Sequence, residues 1–453
     1  MKTLFNDNWK FAKTPAGSAD DEWSFEFSPV HIPHDWLIYN TENLYESSYG
    51  RYIKTYDFGK VKDKSFRIYF EGVYMNSTVF VNRQKAFDWK YGYSSFEADI
   101  TPFLRDGENE IAVLVRHDAP NSRWYSGAGI FRNIWLYETG KEYLKTDGVY
   151  FSAVKNESKW ECTISAEVEN PEDCVLEISL SGKNVSYCAE IPAEAFAEHR
   201  FTLKNVGSED IWDMASPNLM NLSVSLKKSG KELDRTEQRV GLRTIEYTTD
   251  KGFFLNGRNI KINGVCLHHD LGCLGAAVNK SALRRQLGTM KEMGANSVRT
   301  SHNMPAKELM ELCDEMGILV NSEAYDMWER PKTEFDNARF FDDWYEKDVA
   351  SWVRRDRNHP SLIMWSVGNE IYDTHVSPRG KEVAEMLHNA VRKHDFRKNA
   401  PTTIGSNYMP WEGAQNCAQV VDLAGYNYGE GLYSEHHEKY PHWKIYGSET
   451  CIL

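Results

Sequence analysis

One change of pattern near residue 246 constrains the fold more than anything else in the chain. Before it, short runs of β-branched and aromatic residues alternate with polar ones. Turn residues separate these runs, and no helical apolar period competes with them. After it, strand-like apolar runs take turns with amphipathic helices, the repeat a parallel sheet requires. A chain that switches in this way is expected to build β-sandwiches first and an α/β domain last.

The front part divides again. Within 1–140, Ser65–Glu71, Ser77–Asn82, Glu110–Arg116 and Asn133–Tyr137 read as strands, with Asn82-Arg83 and Asp106-Gly107 as turns. This predicts a β-sandwich. Within 141–246, Gly148–Phe151, Glu161–Val168, Cys174–Leu180 and Leu222–Leu226 alternate. Six or seven short strands in about 100 residues suit an immunoglobulin-like sandwich.

From 247 to 453 seven strands are expected: Ile260–Val265, Ser297–Arg299, Ile318–Val320, Leu362–Val367, Thr403–Ile404, Val420–Ala424 and Lys444–Tyr446. Leu283, Leu287 and Met290 form one helical stripe; Leu309, Leu312, Cys313 and Met316 form another, stopped by Gly317. A doubly wound sheet and a (β/α)8 TIM barrel both fit the repeat. The polar residues separate them, because barrel sites gather at strand C-terminal ends. His268, His269 and Asp270 follow the first strand, and Arg299 and His302 the second. Glu323 and Asp326 follow the third, Asn369 and Glu370 the fourth, and Asn407 the fifth. Tyr428 and Glu430 follow the sixth, and Glu449 the seventh. Seven such sets favour a barrel with an active face.

Composition narrows the partners. A net charge of −13 argues against nucleic acid or an anionic membrane. The 14 Trp, 24 Tyr and 21 Phe suit large cores or surfaces that stack on sugar rings. Met1–Trp9 carries no apolar signal core, and no apolar run reaches the about 18 residues that span a membrane. The eight cysteines form no CxxC pair and read as mostly buried thiols. Cytoplasm is the expected compartment.

Glu370 and Glu449 each close an apolar strand. Paired carboxylates across a sugar suit glycosidic bond cleavage: one protonates the leaving oxygen and the other attacks or activates water. For either alone, a surface charge or an ion-pair partner is the simpler reading.

At these residues the chain resembles glycoside hydrolase family 2, and most its bacterial β-galactosidases. The likeness rests on Asn296–Pro305, Arg357–Glu370, Gly447–Thr450, Arg123–Arg132 and Pro33–Trp36. It implies a jelly-roll-like sugar-binding sandwich, an immunoglobulin-like sandwich and a TIM barrel. It also implies a retaining, exo-acting mechanism on terminal β-D-galactose. Glu370 would be the acid/base and Glu449 the nucleophile, with carboxyls about 5 Å apart. Asn369 would bind the sugar 2-hydroxyl, Tyr428 would tune Glu449, and Arg299 would keep it ionised. His268 and His302 match histidines that line the sugar site.

Asp35 and Arg123 match residues that reach the sugar from the sandwich domain. A turn role for Asp35 and an ion pair for Arg123 remain open. Some relatives bind magnesium through a Glu and a His two residues apart after strand three. Ser322–Trp328 has no His, so no metal or other cofactor is expected. Glu323 and Asp326 are then expected to hydrogen-bond active-site groups, and Trp328 to stack on an aglycone. His359 is expected to be structural.

The segment His268–Gly275 looks like the galactosidase branch. In glucuronidases of the family an Asn-x-Lys element downstream of the nucleophile takes the carboxylate; that region lies past residue 453. A β-glucuronidase, or a catalytically impaired chain that only binds sugar, is the alternative. Self-association into a homo-oligomer is open. A barrel usually needs about 250 residues, more than 247–453 supplies. The expectation is therefore the front part of a longer enzyme, without its last helix and eighth strand.

Overall fold

A computed structural model describes residues 1–450. The chain forms two compact units. One comprises Met1–Lys141, His269–Leu283 and Pro331–Ser351; the other comprises Glu142–His268, Arg284–Arg330 and the residues from Trp352 onward.

The first unit is a sandwich of two antiparallel sheets. One sheet orders Lys2–Leu4, Ile134–Thr139, Ser65–Phe70 and Phe96–Asp99. The other orders Ser28–Val30, Trp9–Pro15, Ser48–Asp57, Glu108–His117, Ser77–Val81 and Gln84–Trp89. The strand Glu108–His117 shows why its middle is a continuous apolar run. Ile111, Val113 and Val115 point into the main core with Trp9, Trp36 and Phe70. Ala112 and Leu114 pack on the opposite face with Phe80. A strand covered on both sides loses alternation.

The second unit begins with the second sandwich. Lys159–Glu169 pairs with Tyr143–Leu144, Tyr150–Asn156 and Phe196–Leu203. The facing sheet orders Ser186–Pro192, Cys174–Ser181, Met220–Lys228 and Lys231–Val240. Here alternation survives: Cys162, Ile164, Ala166 and Val168 meet Leu176, Ile178, Leu180, Leu222, Val224 and Leu226 in one core. Full burial of each Val, Leu or Ile among them contributes about 1.5–3 kcal/mol. The immunoglobulin-like sandwich is thus present.

The same unit holds a seven-stranded parallel sheet whose spatial order follows the chain. Its strands, one to seven, are Gly264–Leu267, Ser297–Thr300, Leu319–Glu323, Leu362–Asn369, Thr402–Ser406, Leu423–Asn427 and Ile445–Glu449. The helix Lys307–Met316 ends at Gly317, whose φ of 68° lets its N–H reach Cys313 O; only a glycine adopts this cheaply. An antiparallel sheet of Ile245–Thr248, Gly252–Leu255 and Arg258–Asn259 lies at the N-terminal end of the barrel strands. Its Phe253 and Leu255 pack with Leu319, Ile363 and Leu423, which sit where strands three, four and six begin.

Two strands are displaced from expectation. Strand one starts at Gly264, not Ile260. Asn296 explains the shift: its amide accepts from Asn263 N at 2.9 Å and donates to Lys261 O at 2.9 Å, so this backbone is satisfied without ladder partners. Strand six starts at Leu423, not Val420. Asp422 accepts from Thr402 N at 2.7 Å and from Thr402 Oγ1 at 2.9 Å, which fixes its carboxylate just before the strand.

Among the described residues, Cys162, Cys174, Cys313 and Cys417 are buried, and Cys188, Cys266 and Cys273 are exposed. Cys451 lies outside the described residues. No helix among the described residues is long and apolar enough to cross a membrane.

Candidate active site

The centre of the site is Arg299, the third residue of strand two. Its guanidinium is buried and spans several partners. Nε and Nη2 donate to Glu323 Oε2 at 3.0 and 2.8 Å. Nη1 donates to Glu449 Oε1 at 2.6 Å, and Nη2 to Asn369 Oδ1 at 2.8 Å. Burial alone would weaken its charge, but Glu323 and Glu449 hold its pKa well above the ordinary range. A planar fork of donors is the group that can bridge several acceptors at once.

The barrel makes room for this fork. At Gly405 in strand five, an added Cβ would lie 2.9 Å from Arg299 Nη2, 3.1 Å from Ser448 Oγ and 3.2 Å from Asn427 Oδ1. Any larger residue there would crowd three members of the network.

Glu323 ends strand three and is fully buried. It accepts from Arg299, from Ser366 Oγ at 2.7 Å and pairs with His302 Nδ1 at 2.7 Å. Burial pushes its carboxyl up, but Arg299, His302 and Ser366 together hold it below its ordinary value. A buried carboxylate so paired stays charged.

Glu449 ends strand seven. Besides Arg299 it accepts from Tyr428 Oη at 2.5 Å, and His302 Nε2 lies 3.6 Å away. Burial again acts upward, and Tyr428 and Arg299 overcome it, so the carboxyl sits below the ordinary range. In return the hydrogen bond to Glu449 pushes the Tyr428 phenol up to about 12. Tyr428 has a φ of 54°, and its N–H donates to Glu449 O at 2.8 Å, which ties the end of strand six to strand seven.

Glu370 follows strand four with a φ of 47°. Its Oε1 accepts from Asn427 Nδ2 at 3.2 Å. That same Nδ2 donates to Asn369 Oδ1 at 2.9 Å, and Asn369 Nδ2 donates to Asp326 Oδ1 at 2.8 Å. Ser448 Oγ closes the set by donating to Asn427 Oδ1 at 2.6 Å. A single hydrogen-bonded network therefore joins Glu370 to Glu449 through Asn427, Asn369 and Arg299.

Of the residues expected at the site, this network holds Arg299, His302, Glu323, Asp326, Asn369, Glu370, Tyr428 and Glu449. His268 stands beside it, its ring edge-on to His302 at 5.6 Å. Asn407 is exposed just past strand five, and none of these hydrogen bonds runs through it. Asp35 is buried in the first unit, where its carboxylate accepts from Leu37 N, Ala128 N, Ala276 N and Tyr125 Oη at 2.6–3.0 Å. That ties its own loop to the segments of Tyr125–Ala128 and Ala276 within the same unit. Arg123 is exposed in the same unit.

Trp328 departs from expectation. It is fully buried and donates Nε1 to Val367 O at 2.9 Å, so its ring is core and not a surface for stacking. His359 precedes strand four and pairs with Asp314 at 2.5 Å, away from the catalytic face.

Four members were not singled out from sequence: Asn427, Ser366, Ser448 and Gly405. Asn427 had a signal, since it ends strand six between Tyr426 and Tyr428. Ser366 and Gly405 act inside strands, and no local pattern marks them.

Comparison with known proteins accounts for most of the chain. Residues 247–435 match "Glycosyl hydrolases family 2, TIM barrel domain". Residues 37–140 match the family's sugar binding domain, and 145–243 match "Glycosyl hydrolases family 2". A protein of Bacteroides ovatus named a β-galactosidase is 41% identical over 405 residues, covering 82% of this chain and 46% of its own length. A protein of Bacteroides fragilis named a β-glucuronidase is 26% identical over 439 residues, covering 89% of this chain and 61% of its own. The chain spans about half the length of these curated relatives. The crystal structure of a family 2 member from Bacteroides cellulosilyticus superposes with a TM-score of 0.91 at 30% identity. That superposition covers 99% of this chain and 61% of the other.

Proposed function

Because this chain belongs to glycoside hydrolase family 2, we propose that it serves as a retaining, exo-acting β-galactosidase. Glu449 is the nucleophile and Glu370 the general acid/base. The observation that carries this reading is the set of donors that holds Glu449 as an anion. Glu449 is gripped by Arg299 at 2.6 Å and Tyr428 at 2.5 Å and held below the ordinary carboxyl range. Glu370 faces the neutral amide of Asn427 at 3.2 Å. Glu449 is thus kept as an anion, the state a nucleophile needs.

In the first step Glu449 attacks the anomeric carbon. The bond to the leaving oxygen breaks as Glu370 donates its proton there, and a galactosyl ester on Glu449 forms. In the second step Glu370 takes a proton from water, and the water oxygen displaces Glu449. Two displacements leave the anomeric configuration unchanged. Asn369, oriented by Arg299, Asn427 and Asp326, is assigned to the sugar 2-hydroxyl. His302 and His268 are assigned to neighbouring hydroxyls.

The preference for galactose is supported by the segment His268–Gly275 and by the 41% identical relative named a β-galactosidase. The test compares nitrophenyl β-galactoside with nitrophenyl β-glucuronide, for wild type and Glu449→Ala. NMR follows the first anomer released. Galactoside turnover with the β-anomer appearing first, lost in the variant, is expected. Turnover of the glucuronide alone would overturn the sugar assignment, and α-anomer first would overturn retention.

A further inference from the structure

Past Glu370 the chain builds an aromatic group that the steps above do not use. Tyr372 and His375 follow strand four; Tyr408 and Trp411 follow strand five. His375 stacks on Tyr408 with centroids 3.7 Å apart and meets Trp411 edge-on at 4.8 Å. Tyr372 lies 6.1 Å from His375 and 6.4 Å from Tyr408. Even so, Trp411 is 54% exposed and Tyr372 39%. Clustered, exposed aromatic rings on an active face mark a contact surface.

The loops that carry these rings are braced. Glu370 N donates to Gly405 O at 2.8 Å, which links the ends of strands four and five. Tyr408 N donates to Ser406 Oγ at 3.1 Å, and Trp411 N to Tyr408 O at 2.9 Å. The short helices Asp373–Val376 and Glu412–Ala418 approach closely: a Cβ on Gly413 would fall 2.6 Å from Thr374 O. The rings are therefore set in place before anything binds, which lowers the entropy lost on binding.

We propose that Tyr372, His375, Tyr408 and Trp411 form the platform for the leaving-group ring, a pyranose presenting its C–H face. The proposal rests on the assignment of Glu370 as acid/base. That acid protonates the oxygen between the two rings, and Glu449 must approach the anomeric carbon from the opposite side. Strands four and five lie on the Glu370 side, with strand seven two strands beyond. The departing ring meets the loops that continue from Glu370. Polarised C–H groups of a sugar face pack well on aromatic faces.

The test uses two galactosyl donors, a β-galactosyl-glucose disaccharide and β-galactosyl fluoride, whose leaving group has no ring. The readout is the ratio of their kcat/KM values. Trp411→Ala is expected to lower the disaccharide-to-fluoride ratio about tenfold, and Trp411→Phe to restore most of it. A ratio unchanged in both variants overturns the platform, whether or not overall activity falls. Absence of fluoride turnover by wild type overturns the galactosidase assignment, and the platform with it.

Discussion

Arg299 and Glu449 are joined at 2.6 Å across the barrel, although strands two and seven are not neighbours in the sheet. The cation is itself pinned by Glu323 at 2.8 Å, so it meets Glu449 from a fixed position. Arg299→Lys keeps the charge but loses the fork, and a single ammonium cannot serve Glu323, Glu449 and Asn369 together. The expected loss in kcat is about 10²–10³-fold. The sign of the pH effect follows from the depressed Glu449 carboxyl. With Glu449 as the proposed nucleophile, activity needs the anion and is lost as pH falls through its pKa. Losing the hydrogen bond from the fork raises that pKa, so the acidic limb of the kcat/KM profile moves to higher pH. A limb that stays in place would separate Arg299 from the ionisation of Glu449.

Tyr428→Phe removes the other donor to Glu449 and nothing else from the phenol ring. A hydrogen bond to a charged group contributes about 1.5–3 kcal/mol, which corresponds to a loss of roughly 10- to 100-fold in kcat/KM. The acidic limb shifts upward here too. The basic limb stays, because the phenol, pushed up to about 12, does not titrate in the working range. A change confined to the basic limb would contradict this.

How much of the site was legible in the sequence depends on how each residue reaches it. Arg299, Glu323, Asn369, Glu370, Tyr428 and Glu449 lie at or near strand ends, and a strand end is a one-dimensional signal. Ser366 and Gly405 lie within strands and matter only because the sheet brings them near Glu323 and Arg299. Trp328 was misread because being next to the active face does not reveal direction; its indole points inward to Val367 O. Strand boundaries slipped where a side chain replaced the ladder, as Asn296 does before strand one and Asp422 before strand six. The sandwiches were easier to read. Strict alternation in Lys159–Glu169 and Cys174–Ser181 follows directly from one buried face.

Glu323 shows how the network couples activity to stability. Glu323→Gln leaves Arg299 buried with one carboxylate in place of two. Breaking a buried pair costs about 3–5 kcal/mol, which thermal unfolding would show. The carboxyl of Glu323 is lowered in the folded state. Its contribution is therefore complete above the unfolded value of about 4.3 and is lost as pH falls through the lower folded value. Wild type should lose stability across that acidic window, and Glu323→Gln should show a flatter profile. Parallel profiles would mean that Glu323 does not supply the linkage.

Gly405→Ala tests whether the space around the guanidinium is part of the design. The new methyl would sit 2.9 Å from Arg299 Nη2 and 3.1 Å from Ser448 Oγ, so the polar network must shift to admit it. Overpacking of this kind costs about 1–3 kcal/mol. Here the displaced atoms are those that orient Arg299 toward Glu449, so kcat should fall at least about tenfold while the fold persists. Gly431 is the matched control, since a Cβ there meets nothing within 4 Å. Gly431→Ala should leave both the unfolding temperature and kcat where they are. Equal kinetics for the two variants would show that Arg299 tolerates displacement, and that its contact with Glu449 is not held by packing in strand five.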